Sequence, residues 1–496
     1  MGRNPHDGPN RLTGVPCQVR TRRTAQPPGV LCSMDRSPVP LRHLPRATHE
    51  FLMPLRPPAG NPILRGIGLS DPHVFVHNDR AYLFATHDFS PASTWFVTKD
   101  WWVWSSTDLV HWRQESTLLP QDTFWKAASN ECWAGFGVCK NARWYWYYSA
   151  GAADIGVVVA DTPAGPWHDP LGRPLIAKGM VPTDSRDPDV LIDDDGHAYL
   201  VFGTFDYFIV RLAEDMISLA ETPRPLVLDQ RHGPYGAGRT DDKPSLHKHG
   251  GRYYLSWSSF YAVSESVYGP YRYQGSVLES ASLAPEFSVV PDSLVPPDWD
   301  QSFATNNFRH DRHGNFFTFH GQTYFTCNDK SLPGRNEFFR DSVICYAHYL
   351  EDGRILPVRI DAIGVGQYSV GTWIPAVEFF RAYRATKRVT ADGGSEVTDL
   401  GTGSVLIFPH VHGFVGDGTA TFRYQCEDPA GGTVEVRDTD ETGAVLGSCH
   451  LPSTDERSDI HEVSCPLRIA PGTRSIALRF LGGETRSMRL MAISFR

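Results

Sequence analysis

Apolar and polar positions alternate with a step of two in short runs along most of this chain, and the runs end in Gly, Asn, Asp or Pro. That pattern predicts half-buried β-strands joined by tight turns. One phrase returns five times: a turn, an apolar and aromatic run, a short polar break, and a second aromatic run. The copies start at Asp71, Trp133, Asp187, Asp242 and His313, with spacings of 62, 54, 55 and 71 residues. The third copy reads Asp187-Pro-Asp-Val-Leu-Ile-Asp-Asp-Asp-Gly-His-Ala-Tyr-Leu-Val-Phe-Gly. Each copy is followed by a further strand and polar turn, as in Val103-Trp-Ser-Ser-Thr-Asp-Leu-Val-His-Trp. A hairpin repeated at this period predicts a five-bladed β-propeller.

The pattern changes after Val358. Residues 359–384 read as a linker and closing strand. From Ala385 to Arg496 short alternating runs, such as Thr419-Ala-Thr-Phe-Arg-Tyr-Gln-Cys and Ser475-Ile-Ala-Leu-Arg-Phe, lie between Gly, Asp and Pro clusters. They predict a β-sandwich. The expected fold is therefore all-β: a propeller over 61–358 followed by a sandwich over 385–496. Residues 1–60 are rich in Arg and Pro and read as disordered or as an extension. No apolar signal-peptide core occurs there or after Met53, which leads to an expectation of a cytoplasmic protein.

Composition narrows the function. The chain has 496 residues, 12% of them aromatic, and a net charge of −9. The aromatic share suits β-sheets and sugar-stacking surfaces. The acidic balance gives no support to a nucleic-acid partner. No apolar run is long enough for a transmembrane helix, so no membrane partner is expected. The nine cysteines form no CxxC pair, which argues against a zinc ribbon.

In a propeller the inner strands all start at one end of the central channel, so equivalent positions meet in space. Asp71, Asp187, Asp242 and His313 should then open onto one funnel. Carboxylates crowded together repel, and one can retain its proton to higher pH. That supplies the acid and the base that glycoside hydrolysis needs. Trp133 and Trp101 sit at blade mouths and are candidate stacking platforms for a sugar ring. The Asp193-Asp-Asp-Gly run reads as a hairpin turn rather than a calcium loop.

These residues carry a likeness. Ser70-Asp71-Pro-His-Val, Trp104-Ser-Ser-Thr-Asp-Leu-Val-His-Trp, the Asp187-Pro-Asp-Val motif, Gly269-Pro-Tyr and Asp352-Gly-Arg-Ile-Leu-Pro-Val, in that order, resemble glycoside hydrolase family 43. The resemblance implies Asp71 as the general base, Asp187 as the residue that orients the acid and raises its pKa, and inversion on a pentoside, α-L-arabinofuranoside or β-D-xyloside. The implied partner is an oligosaccharide or polysaccharide. The family has Glu two residues before Pro at the fourth blade. Here Asp242 takes that place, one methylene shorter, with Asp241 and Glu131 as fallbacks. Strand alternation lets the neighbouring Lys243 point away from the funnel. Without an acid the funnel would bind sugar and not cleave it. Arg340 matches an arginine that reaches the sugar or a catalytic carboxylate. His313 matches a histidine that in some members helps hold calcium or another ion on the axis. No cofactor is required, and a structural calcium is the one ion implied. The tail resembles family 6 carbohydrate-binding modules through Gly432-Thr-Val-Glu-Val-Arg, Gly443-Ala-Val-Leu-Gly, Leu451-Pro-Ser-Thr and Leu478-Arg-Phe-Leu-Gly-Gly. It has no Trp, and Tyr424 is expected to be buried, so a packing role is favoured over sugar binding.

Overall fold

In a computed structural model of the chain the described residues run from 60 to 496. Exceptions are 229–239, 241, 258–259, 279–312, 330–335, 337, 391–392, 455–459 and 483–486. The first 59 residues and the fallback Asp241 thus lie outside the described residues. No α-helix occurs among those described.

Each of the five repeated phrases folds as an antiparallel hairpin. The pairs are Leu69–His77 with Arg80–Asp88, Cys132–Lys140 with Arg143–Ala150, and Asp189–Ile192 with Ala198–Phe202. Then come Ser245–His249 with Arg252–Trp257, and Gly314–Phe319 with Gln322–Asp329. A third strand adds to each sheet and a fourth to the first, third and fourth. Inner blade strands are buried on both faces, since each blade packs between neighbours, so a strand such as Arg143–Ala150 is buried almost continuously rather than on alternate residues. Trp144 and Trp146 of blade 2 receive Phe84 of blade 1 at ring-centroid distances of 6.3 and 5.2 Å. Gly137 faces the same Phe84 ring, so near that a Cβ would overlap it. A glycine is required there by the close approach of two blades.

The ring closes through residues 61–63 rather than at 359–384. Ile63 donates its N–H to Ser342 O at 3.0 Å. The Asn61 amide donates to Ile344 O and accepts from Ile344 N–H, both at 3.0 Å. These bonds lay residues 61–63 along the outer strand of blade 5.

The sandwich consists of two sheets. One runs Tyr368–Ser369, Val405–Phe414, Gly472–Leu481, Gly432–Asp438, Val445–Leu451. The other runs Thr386–Val389, Ser395–Leu400, Met488–Phe495, Gly418–Cys426, His461–Leu467. Residues 359–384, expected as a linker and closing strand, hold three short strands instead: Tyr368–Ser369, Trp373–Pro375 and Arg381–Tyr383 all pair with sandwich strands. All six aromatic residues after Ala385, namely Phe408, Phe414, Phe422, Tyr424, Phe480 and Phe495, are buried. Propeller and sandwich form one compact unit over 56–496. Gln322 of blade 5 donates to Val377 O and Phe379 O and accepts from Lys387 Nζ at 2.6 Å. His410 of the sandwich meets Asp108 of blade 1 at 3.1 Å.

Candidate active site

The site begins with backbone strain. Asp71, Asp187 and Lys243 each precede the proline at the start of an inner strand, and their φ values are 49°, 56° and 56°. For a non-glycine residue that region costs roughly 1–3 kcal/mol, and such residues gather at functional sites. A side chain from another blade caps each strained N–H. Asn328 Oδ1 accepts from Asp71 N–H at 2.7 Å and Ser149 Oγ from Asp187 N–H at 2.8 Å. Asp187 Oδ2 itself accepts from Lys243 N–H at 3.2 Å. The blades are stitched together through the residues that form the site.

This pattern corrects the sequence register. Lys243, not Asp242, is the fourth-blade equivalent of Asp71 and Asp187, and Asp242 lies one residue upstream. Lys243 does not point away from the funnel either. It is 1% exposed, and its Nζ lies 3.4 Å from Pro188 O. The alternation rule holds for extended residues, and a left-handed residue redirects its side chain.

Asp71 faces donors. Arg340 Nη1 donates to Oδ1 at 2.9 Å, Asn328 Nδ2 to Oδ1 at 2.9 Å, and Thr86 Oγ1 to Oδ2 at 2.8 Å. Arg340 also pairs with buried Asp88 through Nε and Nη2. Burial pushes the Asp88 carboxyl upward, and Arg340 opposes the shift. Arg340 thus reaches a catalytic-type carboxylate, one of the two targets the sequence suggested.

His313 stands between Asp71 and Asp242. Its Nε2 is 2.6 Å from Asp242 Oδ1, and its Nδ1 is 2.9 Å from Asp71 Oδ1, the latter off the line of a directed bond. One ring and two contacts separate the carboxylates, which is of the order of the ~6.5–9.5 Å that inverting glycosidases leave for a water. Asp187 is 3% exposed and Asp71 4%, while the Asp242 side chain is 25% exposed. Asp242 is the one of the three that faces solvent, where a leaving group departs.

Asp187 is pushed up to about 6, first by burial and then by the charge of Asp242, against Arg186, His313 and Lys243. Arg186, next to it in sequence, lies 4.0 Å from Asp187 Oδ2 and 3.6 Å from Asp242 Oδ2. Its guanidinium also stands 5.4 Å from the Trp133 ring centroid. Trp133 is half-buried at the funnel, as a stacking residue would be. Trp101 is not such a residue. It is 0% exposed, packed on Trp125 and Tyr148, and its Nε1–H donates to Trp133 O at 2.7 Å. Blade-to-blade packing decides that burial, and strand pattern does not show it. Glu131 is exposed at the entry to blade 2, where its backbone O accepts from Gly151 N–H.

The expected axial calcium does not fit these residues. Both His313 nitrogens face carboxylates, and His313 bridges Asp71 and Asp242. The buried Lys243 ammonium would repel a divalent ion beside it. Among the described residues the group with metal-like spacing is Asp108, His111 and His410, on the outer turn of blade 1.

Sequence reasoning missed Arg186, Lys243, Asn328, Thr86 and Asp88. Arg186 had a signal, since it adjoins an aspartate at a funnel position. Lys243 had one too, since a proline follows it as it follows Asp71 and Asp187. The others come from second strands and carry none.

Comparison with known proteins agrees with this geometry. The family model "Glycosyl hydrolases family 43" matches residues 59–355. An arabinoxylan arabinofuranohydrolase of Paenibacillus polymyxa is 28% identical over 87% of this chain and 73% of its own length. One from Bacillus subtilis (strain 168) is 25% identical over 86% and 90%. A crystal structure of a family 43 arabinoxylan arabinofuranohydrolase from Bacillus subtilis, in complex with cellotetraose, superposes with a TM-score of 0.50. It is 22% identical and is covered to 97%, with 88% of this chain, and so supports the fold. With its propeller, its funnel of aspartates and a family match across the whole propeller, this chain is a glycoside hydrolase and belongs to glycosyl hydrolases family 43.

Proposed function

We propose that the protein releases pentose units, α-L-arabinofuranosyl or β-D-xylosyl, from an oligosaccharide or polysaccharide with inversion. The observation that carries this reading is the placement of Asp71 and Asp242 on either side of His313. Asp71, surrounded by donors, takes a proton from the attacking water. Asp242, at the solvent-facing side, gives a proton to the leaving oxygen. Asp187 orients the acid by holding the N–H of Lys243, the next residue along. Two relatives that align with most of the chain are named arabinoxylan arabinofuranohydrolases, so arabinose side chains of arabinoxylan are the first substrate to try.

The sandwich, on this reading, packs against the propeller and binds no sugar, because every aromatic ring after Ala385 is buried. The test is a panel of nitrophenyl glycosides and arabinoxylan oligosaccharides, with the anomer of the first-formed product followed by proton NMR. Release of arabinose or xylose with inverted configuration is expected. Retention would remove Asp71 as a base, and binding without hydrolysis of any member would leave a carbohydrate-binding propeller.

A further inference from the structure

Two polar layers lie along the propeller axis, two residues apart on each inner strand. The upper layer holds Asp71, Asp187, Lys243 and His313, and the lower holds His73, Asp189, Ser245 and Asn315. All eight are buried. His73 Nε2 is 3.1 Å from Asp189 Oδ2. Among the described residues His73 Nδ1 and Ser245 Oγ have no hydrogen-bond partner. Asn315 donates to Val74 O and accepts from Val74 N–H.

Only one of these eight side chains is a strong cation. Burial lowers the Lys243 pKa, while Asp187, Asp189, Asp71 and Asp242 all act to raise it. Burial, and then the Lys243 charge, bring His73 down to about 4, so His73 is neutral at pH 7. Buried Arg340 pairs with Asp71, and the partly exposed Arg186 approaches Asp187 and Asp242. Within its own layer Asp189 faces a neutral imidazole and no fixed positive charge, so the charge that balances it comes from Lys243 in the layer above. An unbalanced buried carboxylate is costly and normally takes up a proton or a cation. The strained φ of 56° that Lys243 adopts places its side chain inward, as it does those of Asp71 and Asp187.

We propose that Lys243 is the resident cation of the propeller axis. Its ammonium, buried on the axis beside Pro188 O, takes the place that an exchangeable ion would otherwise fill. The protein therefore works without a bound divalent ion, and Lys243 is a positioning residue for the two reacting carboxylates. The kinetic half rests on the glycosidase reading above, and the ion half does not.

The test compares full-length wild type with K243M, K243G and K243R after dialysis against EDTA, with and without added calcium chloride. Melting temperature and hydrolysis of a nitrophenyl arabinofuranoside or xyloside are both read. Wild type and K243R should show the same melting temperature with EDTA and with calcium. K243M should lose roughly 10-fold or more in kcat with KM little changed, as expected when positioning for the transition state is lost. K243G leaves a lysine-sized space and should gain a calcium-dependent rise in melting temperature. Wild type that is destabilised by EDTA and restored by calcium overturns the proposal, as does K243M with wild-type kcat. If K243M does not fold, K243G decides, and indifference of K243G to calcium counts against a cation site. If wild type hydrolyses nothing, the functional reading fails, and the melting comparison still decides the ion half.

Discussion

Arg340 meets Asp71 with two nitrogens, Nη1 to Oδ1 at 2.9 Å and Nη2 to Oδ2 at 3.3 Å. The same guanidinium holds Asp88 through its Nε–Nη2 edge, so the base is fixed by a planar fork anchored in the core. Lysine has one point charge and no fork. Arg340→Lys should keep the charge and lose the alignment, with kcat falling by about 10²-fold, as small misplacements do. Asp71→Asn should retain sugar binding and lower hydrolysis by roughly 10²–10⁴-fold, the usual worth of a general base. Steady-state kinetics with calorimetric binding checks both. Full activity in Asp71→Asn would remove it from the mechanism.

Asp242 invites a leaving-group test. An activated nitrophenyl leaving group barely needs a proton, whereas a natural sugar does. Asp242→Asn should therefore impair oligosaccharide hydrolysis far more than nitrophenyl glycoside hydrolysis. Equal losses on both would turn attention to Asp241 or Glu131. Asp242→Glu restores the missing methylene and should remain active on both.

The raised carboxyl of Asp187 has a signature in stability. Its folded pKa of about 6 lies above the ordinary carboxyl value of 3.8. Between those values the folded protein binds more protons than the unfolded chain, so this group's contribution falls as pH rises from about 4 to about 6. Asp187→Asn removes the penalty and keeps an acceptor for the Lys243 N–H. The melting temperature of Asp187→Asn relative to wild type should rise from pH 4 to pH 7, while its activity falls. A difference that is flat with pH would show that Asp187 is not held protonated by its surroundings.

Deleting residues 385–496 should harm solubility more than affinity for small substrates. The cut strands Tyr368–Ser369, Trp373–Pro375 and Arg381–Tyr383 would lose their partners, and Gln322 on blade 5 would lose Lys387. Unpaired strand edges and uncovered apolar surface promote aggregation. A soluble, stable truncation that has lost polysaccharide binding alone would instead assign the sandwich a sugar-binding role.

The five hairpins were legible because buried strands and their turns leave a local pattern. The meeting of Asp71, Asp187, Asp242 and His313 followed from blade symmetry, without any pair of them being near in sequence. Register at the fourth blade was marked as well. Lys243 takes the strained position and Asp242 the one before it, a register that the shared following proline marks at Asp71, Asp187 and Lys243 alike. Trp101 and Trp133 look alike in sequence, and neighbouring blades bury one and leave the other half open. His313 was expected in the funnel beside those carboxylates, and its ion-holding role came from the family resemblance alone.

The joint between residues 61–63 and the outer strand of blade 5 spans nearly the whole propeller in sequence, with Asn61 and Ile344 separated by 283 positions. It makes the propeller a ring with a seam, and Asp71 of blade 1 and His313 of blade 5 lie on opposite sides of it. The contact between that aspartate and that histidine can form only when the seam is shut. Such a long-range closure is slow to form, because loop entropy must be overcome before the contacts reward it. Assembly of the site is thereby tied to completion of the ring, and a chain halted before blade 5 would carry Asp71 with neither Arg340 nor His313 beside it.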